Sequence, residues 1–203
     1  ATPSTTYVNL IAPPTIYSVT GGGSYCSGGS GLPVGLSNST IGINYQLQLN
    51  GVNNGATVAG TGSAISFGTK TVAGTYTVIA TNANCSISMS GNAVIAITPN
   101  NTITRTSAVN SDSQTRCINT AITNITYSTV GATGATFSGL PSGVTGNWTS
   151  NVVTISGTPN SIGGSPFNYI VTLTGGCGTV TATGSITVNP VHTITAASNQ
   201  NAC

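Results

Sequence analysis

The sequence predicts an all-β chain built as tandem β-sandwich modules, and three observations carry that reading. Short runs of β-branched and aromatic residues alternate with Thr, Ser and Asn along the 203 residues, broken by turn residues roughly every eight to twelve positions, with no sustained helical period. The chain also repeats itself. The segment from Thr102-Ile-Thr to Cys117 returns as Thr193-Ile-Thr to Cys203, and each copy follows a proline, Pro99 or Pro190. The two starts lie 91 residues apart, the length of one small domain. A weaker echo runs from Pro13-Pro14-Thr15-Ile16-Tyr17 to Cys26. Finally, the cysteines keep step with the repeat, with 59 residues from Cys26 to Cys85 and 60 from Cys117 to Cys177.

Composition narrows the function classes. Hydrophobic residues make up 38%, enough to build cores, whereas charged residues make up only 2% against about 25% in an ordinary soluble protein. The ionic inventory is Lys70, Arg105, Arg116, Asp112 and, on protonation, His192; there is no Glu. A net charge of +2 is too small and too scattered to attract nucleic acid or an anionic membrane. No apolar run reaches the length of a transmembrane helix, so membrane insertion is not expected. A chain with so few ion pairs is expected to keep its stability across salt concentrations.

In chain order, residues 1–14 are expected to hold the last strand of a preceding repeat and a proline joint, Pro13-Pro14. The first module, 15–99, opens with a strand at Thr15–Thr20, then Gly21-Gly22-Gly23 leads to Cys26. These glycines and Gly28-Gly29-Ser30-Gly31 lack the following Lys-Ser/Thr of a phosphate loop and are read as loop around a disulfide. Strands follow at Leu32–Leu36, at Asn44–Asn50 with Tyr45, Leu47 and Leu49 on one face, and at Ala64–Phe67. A strong strand at Gly74–Thr81 directs Tyr76 and Val78 inward, and a closing strand runs to Thr98. Asn50-Gly51 and Asn54-Gly55 are turn signals.

The second module, 100–190, repeats this ending with Phe167–Thr174, a turn at Gly175-Gly176-Cys177-Gly178, and Thr179–Val188. Its middle holds Ile122–Tyr127, Ala135–Phe137, Gly146-Asn147-Trp148-Thr149 and Val152–Pro159. Residues 191–203 are expected to start a further repeat, making the chain a piece of something longer. Prolines at the joints end ladder pairing and stiffen them. The expected architecture is therefore two Ig-like sandwiches in tandem, forming a rod.

Within the second module Leu140-Pro-Ser-Gly-Val144, then Val153-Thr-Ile-Ser-Gly-Thr-Pro159, then Phe167-Asn-Tyr169 resemble the pattern of Ig-like and PKD-like modules in bacterial surface proteins. In the first, Asn44–Gly51, Ala73–Ala80 and Asn84-Cys85 resemble the companion repeats of very long secreted proteins. Together they are similar to SprB-type gliding-motility adhesins of gliding Bacteroidota, over nearly the whole chain. The resemblance implies a repetitive fibre on the bacterial cell surface, exported by the type IX pathway and serving adhesion and gliding.

Catalytic chemistry has little to draw on. One Asp, one His and no Glu cannot make a carboxylate pair, and a triad would need Asp112 and His192 to converge from two successive modules. No catalytic residue, cofactor or metal site is expected. Paired C-x-x-C spacing for zinc is absent, and no carboxylate lies near Pro99 or Pro190 to hold calcium. The cysteine intervals instead predict disulfides Cys26–Cys85 and Cys117–Cys177 inside the modules, each worth about 4 kcal/mol, with Cys203 pairing in the next repeat. That implies an oxidising, extracellular setting. Expected partners are the neighbouring repeats, with surface polysaccharide or other copies of the fibre beyond them. Trp148, flanked by neutral Asn147 and Thr149, is the candidate glycan contact under the alternative reading, a carbohydrate-binding module.

Overall fold

The computed structural model describes residues 12–83 and 85–192. Of the expected tail at 1–14 and the further repeat at 191–203, residues 1–11 and 193–203, with Cys203, lie outside them. The chain divides into two compact units, Ala1–Thr98 and Pro99–Cys203. Among the described residues all regular structure is β, and no helix is long and apolar enough to cross a membrane.

The first unit contains β1 (Val19–Gly21), β2 (Gly23–Cys26), β3 (Leu32–Leu36), β4 (Asn44–Leu49), β5 (Val52–Asn53), β6 (Val58–Ala59), β7 (Ile65–Lys70), β8 (Gly74–Thr81), β9 (Ser86–Ser88) and β10 (Ala93–Thr98). One sheet has the order β1-β3-β7; the other runs β2-β10-β8-β4-β5, with β6 beside β4 and β9 beside β8. Alternation drives their closure. Tyr45 and Leu47 on β4, Tyr76, Val78 and Ala80 on β8, Ile95 on β10, and Val34 and Leu36 on β3 are all buried in one cluster. Each large side chain removed from water there contributes about 1.5–3 kcal/mol. Leu49, expected on the same face, sits at the margin, half-buried.

The glycine run is not a loop around a disulfide. It is where the chain passes from one sheet to the other, with β1 in the first, β2 in the second, and only Gly22 between them. Gly21, Gly22 and Gly23 have φ of 96°, 83° and 126°, a region that β-carbons disfavour. A methyl at Gly21 would overlap the Pro33 carbonyl on β3. β2 then pairs parallel with the last strand, Cys26 opposite Thr98.

The second unit contains β11 (Thr102–Arg105), β12 (Ser113–Cys117), β13 (Ile125–Val130), β14 (Gly134–Ser138), β15 (Val144–Thr149), β16 (Val152–Gly157), β17 (Phe167–Thr174) and β18 (Thr181–Asn189). Its sheets are β11-β13-β16-β15 and β12-β18-β17-β14. Ile125, Tyr127, Val153, Ile155, Tyr169, Val171, Ile186 and Val188 fill the space between them. Again the first strand is split between sheets, and β12 pairs parallel with β18, Cys117 opposite Asn189.

The two short motifs read in this unit meet in space. Val144 pairs with Gly157 at the open end of the β15–β16 hairpin, and Thr158 N donates to Gly143 O at 2.9 Å. A side chain at Gly143 would overlap the Thr158 carbonyl, and one at Gly157 the Gly143 carbonyl. Both glycines are therefore dictated by close backbone approach.

Candidate functional site

The cysteines are placed by strand register. In the first unit β10 pairs antiparallel with β8, Ile95 opposite Gly74, so Cys26, level with Thr98, lies beyond the start of β8. Cys85 lies beyond the other end of β8, after Thr81. About ten residues at ~3.3 Å each separate the two levels, on the order of 30 Å, whereas a disulfide needs Cα atoms within about 7 Å. The second unit repeats this. Cys117 is level with Asn189, and Phe167 faces Ile186, so Cys117 lies beyond the start of β17 and Cys177 beyond its end at Thr174.

The expected pairs Cys26–Cys85 and Cys117–Cys177 are consequently not formed. Cys85, half-buried, and Cys117, exposed, are free thiols, whereas Cys26 and Cys177 are disulfide-bonded. The equal intervals measured a repeat of position, not a bond. Each unit carries one cysteine at its leading end, in the turn after its long eight-residue strand, and one at its trailing end, on the second half of its split first strand.

Both leading-end turns are built rigidly. Asn82 accepts from Cys85 N through Oδ1 at 2.9 Å, while its own N–H donates to Cys85 O at 3.0 Å. Its Nδ2 donates to Ala12 O at 3.0 Å. In the second unit buried Asn101 donates from Nδ2 to Gly175 O at 2.7 Å and Gly178 O at 2.8 Å, and from N to Cys177 O at 2.7 Å. Side-chain amides so placed replace ladder bonds that a turn lacks.

A second polar cluster closes the split first strand of the second unit. Arg105 at the end of β11 forms an ion pair with Asp112, just before β12. The Tyr127 and Tyr169 hydroxyls bond each other at 3.0 Å, and Tyr169 also donates to Asp112 O at 3.4 Å. Burial, first of all, raises the pKa of both phenols above the ordinary value of 10.0. Gly184 makes this fit, since a methyl there would overlap the Tyr169 hydroxyl and the Asp112 carbonyl. A cleft of about 500 Å³ opens beside Asp112, Tyr169 and Gly184. Arg116 takes no part and instead donates to Thr123 Oγ1 at 2.6 Å.

Trp148 lies on β15 half-buried, packed on the core, with Nε1 donating to Thr129 Oγ1 at 3.0 Å. His192 is exposed. Among the described residues no group of three or more His, Cys, Asp or Glu side chains converges on one point.

Two split-strand sandwiches in succession, each with its first strand shared between sheets and its second half parallel to the last strand, decide the fold. The chain has the fold of tandem immunoglobulin-like domains. A three-domain I-band fragment of titin, I67–I69, superposes with a TM-score of 0.62 at 15% identity, over 89% of this chain and 67% of that one. Sidekick-1 immunoglobulin domains 1–4 superpose with a TM-score of 0.59 at 15% identity, over 86% of this chain and 48% of theirs. For Sidekick-1 domains 1–5 the values are 0.57, 13%, 86% and 38%. The chain thus spans less than half of either Sidekick-1 structure. No protein-family model matches the sequence, and no curated protein matches it.

Proposed function

We propose that the chain is a non-enzymatic structural repeat segment of a long secreted cell-surface adhesin or filament, a disulfide-stapled stalk. The observation that carries this is the succession of two immunoglobulin-like modules with cysteines at corresponding places on both. Bonded cysteines belong to an oxidising compartment, which supports an extracellular location. The likeness of the Leu140–Val144 and Val153–Pro159 motifs to adhesin repeats supports the bacterial cell surface, type IX export, and service in adhesion and gliding. Neighbouring repeats of the same polypeptide are the first partners, with surface polysaccharide or other copies of the fibre outward of them.

The test is the reduced, denatured mass of the native polypeptide that carries this segment. A mass of hundreds of kilodaltons, with peptides recurring at about ninety residues, is expected for a repeat array. A mass near 20.0 kDa would overturn the fibre.

A further inference from the structure

The cleft of about 500 Å³ beside Asp112 belongs to the outer face of the β12-β18-β17-β14 sheet. Register sets Ser113 level with Ser185, and Ser185 level with Asn168, in one row across β12, β18 and β17. Thr183 and Ile170 make the next row. Tyr169, between Asn168 and Ile170, and Ile186, after Ser185, are buried in the core, so alternation turns these five side chains away from it. Ser113, Asn168, Ile170 and Thr183 are exposed, and Ser185 is half-buried. Among the described residues no hydrogen bond engages the side chains of Ser113, Asn168, Thr183 or Ser185. Three hydroxyls and an amide therefore stand side by side, able both to donate and to accept.

Charge and shape narrow the occupant. Asp112, which also lines the cleft, is already paired with Arg105, and no Lys, Arg or His lines it. An anionic ligand would meet a carboxylate and no unpaired cation there. A peptide adding itself as a strand needs an open edge, yet β17 and β18 have neighbours on both sides. The volume falls within the range of about 300–1,000 Å³ of small-ligand sites. An uncharged ligand rich in hydroxyls, with one apolar C–H face, matches both the polar row and Ile170.

We propose that this cleft binds a neutral sugar unit of a polysaccharide, its hydroxyls bonding the Ser113–Ser185–Asn168 row and Thr183, its C–H face resting on Ile170. Trp148 is not the contact. It lies on the other sheet, packed on the core, with Nε1 bonded to Thr129. The inference rests on polysaccharide being a partner, as in the proposed function, and names the place that holds it.

The experiment titrates the isotopically labelled 203-residue chain with cellohexaose, maltohexaose and mannohexaose, and with hexagalacturonate as the acidic comparator, following backbone amides by NMR. At least one neutral hexasaccharide should saturably shift the amides of 112–113, 168–170 and 183–185. Asn168→Ala and Ser185→Val each remove one bonding group from the outer face and should weaken that binding about fivefold. Circular dichroism melting of both variants should match the parent chain. No saturable shift with any neutral probe, shifts centred on Trp148, tighter binding of hexagalacturonate, or undiminished affinity in both variants would each overturn the proposal. A parent mass near 20.0 kDa would remove the fibre yet leave this sugar site standing. A mass of hundreds of kilodaltons without saccharide binding would do the reverse.

Discussion

Both modules must carry their first strand from one sheet to the other, and they do so by opposite means. The first crosses in a single residue, Gly22, using backbone freedom alone, with three consecutive glycines at positive φ. The second takes residues 106–112 between β11 and β12 and fixes them with side chains. Arg105 pairs with Asp112, Ser107 Oγ bonds Ser111 Oγ at 2.6 Å, and the Tyr169 hydroxyl reaches Asp112 O. A crossing made of backbone tolerates no β-carbon; one made of side chains tolerates substitution but acquires titratable groups. The same contrast reaches the long strands. Tyr76 donates to Val72 O at 2.9 Å, four residues upstream, as a tyrosine corner. Its counterpart Tyr169 has been recruited to the crossing.

The largest effect should come from Gly21→Ala. Strain at positive φ costs about 1–3 kcal/mol, and overlap with the Pro33 carbonyl adds to it, so a loss of about 3 kcal/mol or more is expected in the first module alone. The single Trp, Trp148, lies in the second module, so tryptophan fluorescence should melt unchanged while the circular dichroism transition of the first module falls. Equal movement of both would show that the modules do not unfold separately.

Alkaline pH should reverse the asymmetry. Burial holds Tyr127 and Tyr169 neutral, with pKa above the 10.0 of an unfolded tyrosine. The native state therefore keeps protons that the unfolded chain gives up. Stability is fully present below about pH 10 and falls as pH rises past it, by up to about 1.4 kcal/mol per unit for each group. The first module has one such raised phenol, Tyr76. Denaturant titrations at rising pH should thus show the steeper loss in the Trp148 signal.

Replacing the matched tyrosines sharpens the comparison. Tyr76→Phe removes one hydrogen bond and should cost about 1 kcal/mol; Tyr169→Phe also leaves the Tyr127 hydroxyl without its partner and should cost about 1–3 kcal/mol. Urea midpoints of the two variants would measure both, and equal losses would count against a distinct role for the second crossing. The smallest change is expected from Arg105→Gln. A pair with side chains 29% and 30% exposed is worth about 1 kcal/mol or less. Its removal should abolish what little salt dependence the second module's melting temperature shows.

The fold was legible because alternation and turn residues act locally. The spans Gly74–Thr81 and Phe167–Thr174 form strands at those bounds, and Tyr45, Leu47, Tyr76 and Val78 point inward. What escaped the sequence depends on register. Nothing local tells that Cys26 lies level with Thr98, or that the turn bearing Cys85 lies at the far end of the sheet. An equal spacing of cysteines reads identically whether bonds run within a module or out of it. The Tyr127–Tyr169–Asp112 cluster is likewise assembled from three strands or strand ends far apart in sequence. Its local signals were the nearness of Arg105 to Asp112, which allows an ion pair, and Gly184 inside an otherwise regular strand, where a glycine marks close approach. The glycine run at 21–23 was visible as flexible backbone, but which two sheets it joined was not.

The parallel pairing of each module's second strand segment with its last strand has a mechanical consequence. If tension enters a module at its first strand and leaves at its last, the two are drawn past each other along their length. The bonds between them are then loaded in shear and must fail together, whereas an antiparallel hairpin pulled open at its free ends unzips one bond at a time. The β12–β18 pairing joins five residue pairs and the β2–β10 pairing four. Stretched from both ends, the first module should be the one that yields first, leaving its neighbour to hold the load.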